Sequence, residues 1–273
     1  MNSRTKIIRW ENGAAPESQV DELAAEEPLE IRVDNQTISV TMRTPGHDEE
    51  LAAGFLLSEG LITEAAQVAK IAPYPRNAGK NVIGVYLGPE VRVDWKQLTR
   101  HVFVSSSCGL CGKASIEAVH QHFPPIKSDI CVAATTLLEL PQTLRLQQEV
   151  FDRTGGLHAA GLFDLDGRLL LLREDVGRHN AVDKVLGHAL LNGLLPCDKN
   201  ILLVSGRASF EIVQKALAAR VPIVAAVSAP SSLAADFARA SGQTLVAFLR
   251  AERMNIYSMP ERVRFGEELG IRN

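Results

Sequence analysis

From His179 onward the sequence alternates between helix-sized segments and short apolar runs, and this alternation limits the folds open to it. A helical pattern runs to about Leu195. It is followed by a strand over residues 201–204, a helix from Ala208, a strand over 223–227, a helix from Ser231 and a strand over 244–248. Short strands separated by amphipathic segments of about 10–15 residues are the pattern of βαβ units, whose crossovers are right-handed. The predicted fold class is therefore α/β, a parallel or mixed sheet flanked by helices. Composition agrees: 46% of residues are hydrophobic but only 5% aromatic, so the core must be built from Ala, Val, Leu and Ile. Such a core suits helices on a buried sheet better than an aromatic-rich sandwich.

Before that point the patterning is more varied. Residues 1–27 are polar and increasingly acidic, and read as a loosely attached lead-in. Leu29, Ile31 and Val33 share one face of a strand and Ile38, Val40 and Met42 one face of the next, with Asp34-Asn35-Gln36-Thr37 between them, which predicts a β-hairpin. Asp48-Glu49-Glu50 opens a helical pattern through Leu51, Phe55 and Leu56, and Gly60 stands where a C-terminal cap belongs. A second strand pair is expected over residues 82–87 and 91–93, turned by Gly88-Pro89. Then come a strand at Val102-Phe103-Val104, a Gly-rich turn and a helix over residues 114–122. Another helical stretch covers residues 137–151, restarted at Pro141, and a hairpin turns at Asp166-Gly167. The continuous apolar run at residues 169–172 predicts a strand buried on both faces. This divides the chain into the lead-in, an N-terminal α+β region over residues 28–130 and a C-terminal α/β region over 131–273.

Charge narrows the function. With 29 basic against 32 acidic residues the net charge is −3, which argues against a nucleic-acid polymer as partner. No run reaches the roughly 18 apolar residues of a membrane helix, and the first nine residues carry no apolar core of a signal peptide. A cytoplasmic protein is expected, with its thiols kept reduced. Four cysteines, at 108, 111, 131 and 197, are too few and too unevenly placed for a disulfide framework. Cys131 and Cys197 read as small buried hydrophobes.

Cys108 and Cys111 form the sharpest motif. They lie in Ser105-Ser106-Ser107-Cys108-Gly109-Leu110-Cys111-Gly112-Lys113, between a predicted strand and a predicted helix. The helix N-terminus and Lys113 both favour a thiolate, and the glycines leave the sulfurs uncovered. Two thiols at this spacing can share a metal, form a disulfide, or act as a nucleophile and its assistant. A tetrahedral zinc site would need two further ligands, and the sequence offers no second Cys-x-x-Cys and no His-x₃-His, so no metal site is assigned.

A second concentration of ionisable groups, Arg173-Glu174-Asp175-Val176-Gly177-Arg178-His179-Asn180-Ala181-Val182-Asp183-Lys184, follows a predicted strand. This places Asp175, Arg178, His179 and Asn180 near the carboxyl edge of the sheet, where open α/β sheets bind ligands. The same residues could instead form a solvated, salt-bridged helix start. His158, after Gly155-Gly156, is a weaker candidate. The turns Ser205-Gly206-Arg207 and Ser228-Ala229-Pro230-Ser231-Ser232 present N–H groups and hydroxyls at helix N-termini, which suits phosphate, although helix capping alone would account for the serines. Neither turn carries a Walker or Rossmann glycine pattern. Phe248-Leu249-Arg250-Ala251-Glu252-Arg253 leaves the last strand with two arginines, as an anion clamp or as a charged exit loop.

Taken together, the cysteine motif, Thr154-Gly155-Gly156-Leu157-His158-Ala159-Ala160, the Glu174 to Lys184 motif and Ser205-Gly206-Arg207 resemble the formate dehydrogenase accessory proteins, the FdhD sulfurtransferases. The resemblance extends from the first hairpin to about Tyr257. It implies a cytidine-deaminase-like α/β fold in the C-terminal part. It also implies transfer of sulfur from a cysteine desulfurase to the molybdenum (or tungsten) bis-molybdopterin guanine dinucleotide cofactor, bound as substrate before insertion into formate dehydrogenase. On this resemblance Cys108 and Cys111 carry the sulfur as a persulfide, with Cys108 the first choice, and Phe248 to Arg253 falls on the cofactor-binding segment. Ser205, Gly206, Arg207, Ser228, Asp175, Arg178, His179 and Asn180 are the further candidates for holding it. Deaminase chemistry is disfavoured, because no Pro precedes Cys108 and His158 is followed by Ala159-Ala160 rather than by a His-x-Glu pattern. The alternatives are a non-catalytic carrier of the guanine-dinucleotide cofactor and a zinc-dependent hydrolase. A homodimer is the general expectation for such a protein.

Overall fold

The computed structural model describes residues 3–74, 81–91, 119–120 and 122–266. Residues 92–93, the predicted strand at 102–104, both motif cysteines and residues 114–118 and 121 of the predicted helix lie outside them.

The chain opens not with a loose lead-in but with an antiparallel hairpin, β1 (Ser3–Arg9) and β2 (Glu17–Leu23). Its strands carry too many charges for an apolar alternation to show in the sequence. The predicted second hairpin is β3 (Glu27–Val33) and β4 (Gln36–Arg43), turned at Asp34 and Asn35 with φ of 44° and 71°. Two successive left-handed residues match the twist of a tight hairpin, and Asp and Asn tolerate that region. Helix α1 (Asp48–Ser58) ends at Gly60, whose φ of 75° lets Leu61 N–H reach Leu56 O at 2.9 Å and Gly60 N–H reach Leu57 O at 3.1 Å, the predicted glycine cap.

Of the expected partner strand over 91–93, residues 92 and 93 lie outside the described residues, and both sides of residues 82–87 are taken by other strands. Strand β6 (Val82–Leu87) pairs antiparallel with β5 (Val68–Pro73) and parallel with β3, giving the sheet order β4-β3-β6-β5. Gly88-Pro89 does make a turn, closed by Val91 N–H to Gly88 O, but Val91 joins no strand. Strand β5, with Val68, Ile71 and Pro73, has no alternation that the sequence reading could use.

In the second half, a short strand β7 (Val132–Ala133) leads into α2 (Ala134–Arg145), which contains Pro141, and α3 (Glu149–Thr154). Then follow β8 (His158–Phe163), β9 (Leu169–Asp175), α4 (Arg178–Leu191), β10 (Ile201–Val204), α5 (Phe210–Ala218), β11 (Ile223–Ala226), α6 (Ser232–Ala240), β12 (Thr244–Arg250), β13 (Arg253–Ser258) and a short β14 (Val263–Arg264). The six-stranded sheet has the order β13-β12-β11-β10-β8-β9 and is mixed: β10, β11 and β12 run parallel, and β8, β9 and β13 antiparallel to their neighbours. Alternate side chains divide its two faces. Leu162, Leu202, Val204, Val224 and Leu245 share a core with α4, α5 and α6, whereas Phe163, Ile201, Leu203, Ile223 and Val246 share one with α2. Strand β9 is not buried on both faces, for it forms the sheet's edge and leaves Leu170 50% exposed.

The first core continues through α1 into the four-stranded sheet, so Leu29, Ile31 and Leu51 belong to the same apolar cluster as Val182 and Leu245. Helices α1 and α4 cross closely enough that a Cβ at Gly54 would lie 1.9 Å from Asp183 O, and one at Gly187 would lie 1.8 Å from Glu50 O. Lys215 on α5 donates to both carboxylate oxygens of Asp183 at 2.8 Å and to Ser58 Oγ at 3.0 Å, tying α1, α4 and α5 together in the interior. Among the described residues no helix is long and apolar enough to cross a membrane.

Candidate functional site

Because β10, β11 and β12 are parallel, their carboxyl ends finish on one edge of the sheet. Strand β8 is antiparallel to β10, with Ala160 opposite Val204, so it begins at that edge; β9 is antiparallel to β8, with Asp175 opposite His158, so it ends there. The start of β8, the β9–α4 turn, the β10–α5 turn, the β11–α6 turn and the end of β12 therefore gather in one place. Ligands bind open α/β sheets at such edges.

The backbone stitches these turns side by side. Ser205 N–H donates to Ala159 O and Ala159 N–H to Ser205 Oγ, both at 2.9 Å. Ala208 N–H donates to Ala229 O at 3.1 Å, Ser228 N–H to Gly206 O at 3.4 Å and Phe248 N–H to Ser228 O at 3.1 Å. Two of the predicted anion-binding hydroxyls thus have structural tasks: Ser205 Oγ holds β8, and Ser231 Oγ caps α6 by accepting from Ala234 N–H at 3.1 Å. Phe248 stands in the left-handed region at φ 51°, beside a register shift between β12 and β13, with its ring 42% exposed. For a residue with a Cβ that conformation costs on the order of 1 kcal/mol, sustained here by the bond to Ser228.

Basic groups line the centre. Gly206 is buried, and a Cβ there would come within 3.2 Å of His158 Nδ1 and 3.6 Å of Arg178 Cδ, so a glycine is what lets these residues close in on the backbone where the sheet's carboxyl edge forms its crevice. Arg207 beside it is exposed. Burial, then the charges of Arg178 and Arg207, hold the His158 ring below the ordinary imidazole value, with Asp175 pulling the other way. His179 is pushed down to about 3 by burial, then by Arg178, Lys215 and His158. Its Nε2 lies 3.0 Å from Ser209 Oγ and 3.1 Å from Glu211 Oε2. A carboxylate can only accept, so the neutral ring carries its proton on Nε2 and leaves Nδ1 as an acceptor. The buried Nε of Arg178 has no hydrogen-bond partner among the described residues. A buried guanidinium N–H without an acceptor costs free energy. That N–H stands among two arginines and two histidines, a setting in which an anionic acceptor is the best matched.

Other predicted site residues stand further from this crevice. Asp175 is fully buried and accepts from Thr44 N–H at 3.1 Å, Gly177 N–H at 2.8 Å, Asn180 Nδ2 at 3.0 Å and Lys184 Nζ at 2.7 Å. Asn180 also donates to Met42 O at 2.8 Å. These two residues root the turn in the N-terminal sheet rather than facing outward. Leu249 is buried in the core on the α2 face. Arg250 turns back, donating through Nη1 to Val227 O and to Leu249 O at 2.8 Å. Ala251, Glu252 and Arg253 are exposed where β12 turns into β13. Sequence reading missed Thr44, Ser209 and Glu211. The latter two follow the Ser205-Gly206-Arg207 turn closely and could have been suspected, whereas nothing local marks Thr44.

Cys108 and Cys111 lie outside the described residues. Cys197 is buried, its thiol pushed up to about 12 by burial and then by Asp198, and Cys131 is half-buried with no disulfide partner among the described residues.

The sequence profile of the FdhD/NarQ family matches residues 24–264, nearly the whole chain. The chain belongs to the FdhD/NarQ family. It is 49% identical over 282 residues to the sulfur carrier protein FdhD of Streptomyces coelicolor, covering 99% of this chain and 98% of that protein. To the sulfur carrier protein FdhD of Mycobacterium tuberculosis it is 52% identical over 251 residues, covering 88% of this chain and 91% of that one. The fold is shared with a crystal structure from Desulfotalea psychrophila assigned as a formate dehydrogenase accessory protein. That similarity has a TM-score of 0.76 at 29% identity, with 96% of this chain and 99% of that one covered. The matched residues of the FdhD/NarQ profile include every turn at the cationic edge of the sheet.

Proposed function

We propose that this protein is a sulfur carrier in formate dehydrogenase maturation, taking sulfur from a cysteine desulfurase onto Cys108 or Cys111 and passing it to a molybdenum or tungsten bis-guanine-dinucleotide cofactor held in the cleft as substrate. The observation that carries the reading is the buried Nε of Arg178, unpartnered among the described residues, at the carboxyl edge of the sheet. Arg178, with its unpartnered buried Nε, and Arg207 flank Gly206 beside His158, a setting that favours the phosphates of a dinucleotide. The names of the FdhD relatives supply the sulfur.

The chemistry needs little beyond a thiolate. The carrier cysteine attacks the outer sulfur of the donor's persulfide, the donor's S–S bond breaks, and the donor thiolate leaves, with no net change in oxidation level. Release reverses the roles. The acceptor takes the outer sulfur and supplies the two electrons that convert it to a sulfide ligand, and the carrier thiolate departs. The cleft residues bind and orient, with His158 and His179 neutral and the arginines holding phosphate.

Intact-mass measurement after incubation with a cysteine desulfurase and cysteine tests the first half. One added sulfur is expected on the wild-type chain and none on the Cys108→Ala, Cys111→Ala double variant; wild-type chain without an adduct overturns the sulfur-carrier reading. Full activation of formate dehydrogenase in cells by the double variant would instead favour a carrier of the cofactor alone.

A further inference from the structure

Asp175 points into the interior, where it accepts four hydrogen bonds, and its only cationic partner among the described residues is Lys184, on α4 and 1% exposed. Lys184 Nζ also donates to Thr44 O at 2.8 Å, while Thr44 N–H donates to Asp175 Oδ2 and Thr44 Oγ1 accepts from Val176 N–H at 3.1 Å. Asp175 Oδ1 takes the Gly177 N–H and the Asn180 amide. Every one of these bonds falls on the short turn between β9 and α4, or on the connection between β4 and α1 that lies against it. The same turn carries Arg178 and His179 into the cleft. Arg178 Nε finds no acceptor there among the described residues, so its direction is set at the root of the turn and not at its tip.

A buried ion pair is a poor source of stability, since an apolar pair of similar volume often does as well. What an apolar pair cannot do is accept two backbone N–H groups and a side-chain amide at once. The geometry points to Lys184 as a positioning residue of the cleft: by neutralising and orienting Asp175 it locks the Val176 to Asn180 turn against Thr44 and so aims Arg178 and His179 across Gly206. The inference rests on the reading of the cleft as a phosphate-binding site. It draws the N-terminal sheet into that site, because Thr44, just past the end of β4, supplies one donor and two acceptors to the lock and Met42 O takes the Asn180 amide.

Two variants test it, with guanosine diphosphate as the probe. Lys184→Met leaves Asp175 charged and unpaired. Thr44→Val keeps the shape but removes the hydroxyl that accepts from Val176, a milder change that decides the matter if the first variant does not fold. Binding is expected to weaken about tenfold in each, as the loss of one well-placed charged hydrogen bond does. A second readout separates positioning from stability alone. The groups facing His158 are Arg178, Arg207, His179 and Asp175. With Lys184 gone the pull of Asp175 is no longer offset, so the His158 ring, followed by NMR and assigned with His158→Asn, titrates higher in Lys184→Met and is little changed in Thr44→Val. Wild-type affinity in both folded variants, with an unmoved His158 titration, overturns the inference. If the wild-type chain itself takes up no guanosine diphosphate, the phosphate reading fails instead, and the ring titration alone then decides whether Lys184 positions the turn.

Discussion

Glu50 on α1 and Arg173 on β9 meet in two parallel hydrogen bonds, Nε to Oε2 at 2.5 Å and Nη2 to Oε1 at 2.7 Å. Here the N-terminal region grips the edge strand of the large sheet through charge rather than apolar contact. His188 Nδ1 lies 3.0 Å from the same carboxylate and His47 Nδ1 3.4 Å from it. Burial pushes the Glu50 carboxyl up, but the hydrogen bonds from Arg173, His47 and His188 outweigh it and hold the group well below the usual carboxylate range.

That depression fixes a pH dependence. The folded state holds Glu50 ionised more strongly than the unfolded chain, whose value is near 4.5, so the contribution is fully present above that pH and is lost as pH falls below it. Glu50→Gln should lower unfolding stability by about 2 kcal/mol at pH 7. The gap between variant and wild type in urea titrations should narrow steadily below pH 4.5; a gap that stays constant to pH 3 would show that the carboxylate charge contributes nothing.

Lys215 and Asp183 form a buried ion pair between α5 and α4. Lys215→Met should cost about 3–5 kcal/mol, because it strands a buried carboxylate. Replacing Asp183 by Leu at the same time should restore much of the loss, as an apolar pair of comparable volume would. Chemical denaturation of the single and double variants measures both effects, and a double variant no more stable than the single one would contradict the account.

The helix crossing depends on missing side chains. Gly54→Ala puts a methyl group 1.9 Å from the Asp183 carbonyl, which has no flexible end to move aside. The helices must separate, at a cost of about 3 kcal/mol, and thermal unfolding should report it. The same substitution at Gly13, where an added Cβ meets nothing within 4 Å, carries only the backbone strain of a Cβ at φ 86°, about 1 kcal/mol, and serves as the comparison.

Arg178 separates binding from stability. Its Nε bonds nothing among the described residues, so Arg178→Met should leave unfolding within about 0.5 kcal/mol of wild type. Affinity for guanosine diphosphate, measured by calorimetry, should fall at least tenfold, with a shallower dependence on salt. Loss of stability without loss of affinity would assign the arginine to the scaffold.

The alternation after His179 gave away the large sheet because each strand there is buried by its own neighbours and each helix by the strand before it. The residues that bury them are adjacent in the chain, and local periodicity records that. The same locality made Ser205-Gly206-Arg207, Arg178 and His179 legible as turns at a sheet edge. It failed for β1, β2 and β5, whose strands are set by pairing rather than by an apolar face, and for β9, because a run of leucines does not say whether a strand lies at an edge.

By itself, then, the sequence determined the class of fold, the order of the strands and helices after His179, and the residue types at the cationic edge. Only the tertiary structure decided which of those residues face the crevice. Asp175 and Asn180 turn inward because a carboxylate buried against Lys184 and the Thr44 N–H is better satisfied there than in a cleft shared with other charges. Arg178, at the first position of the same helix, lies beside Gly206 with its Nε unpartnered among the described residues, while His179 turns to Ser209 and Glu211. Thr44 is 131 residues from Asp175 in sequence, and no local pattern records a contact made across that separation.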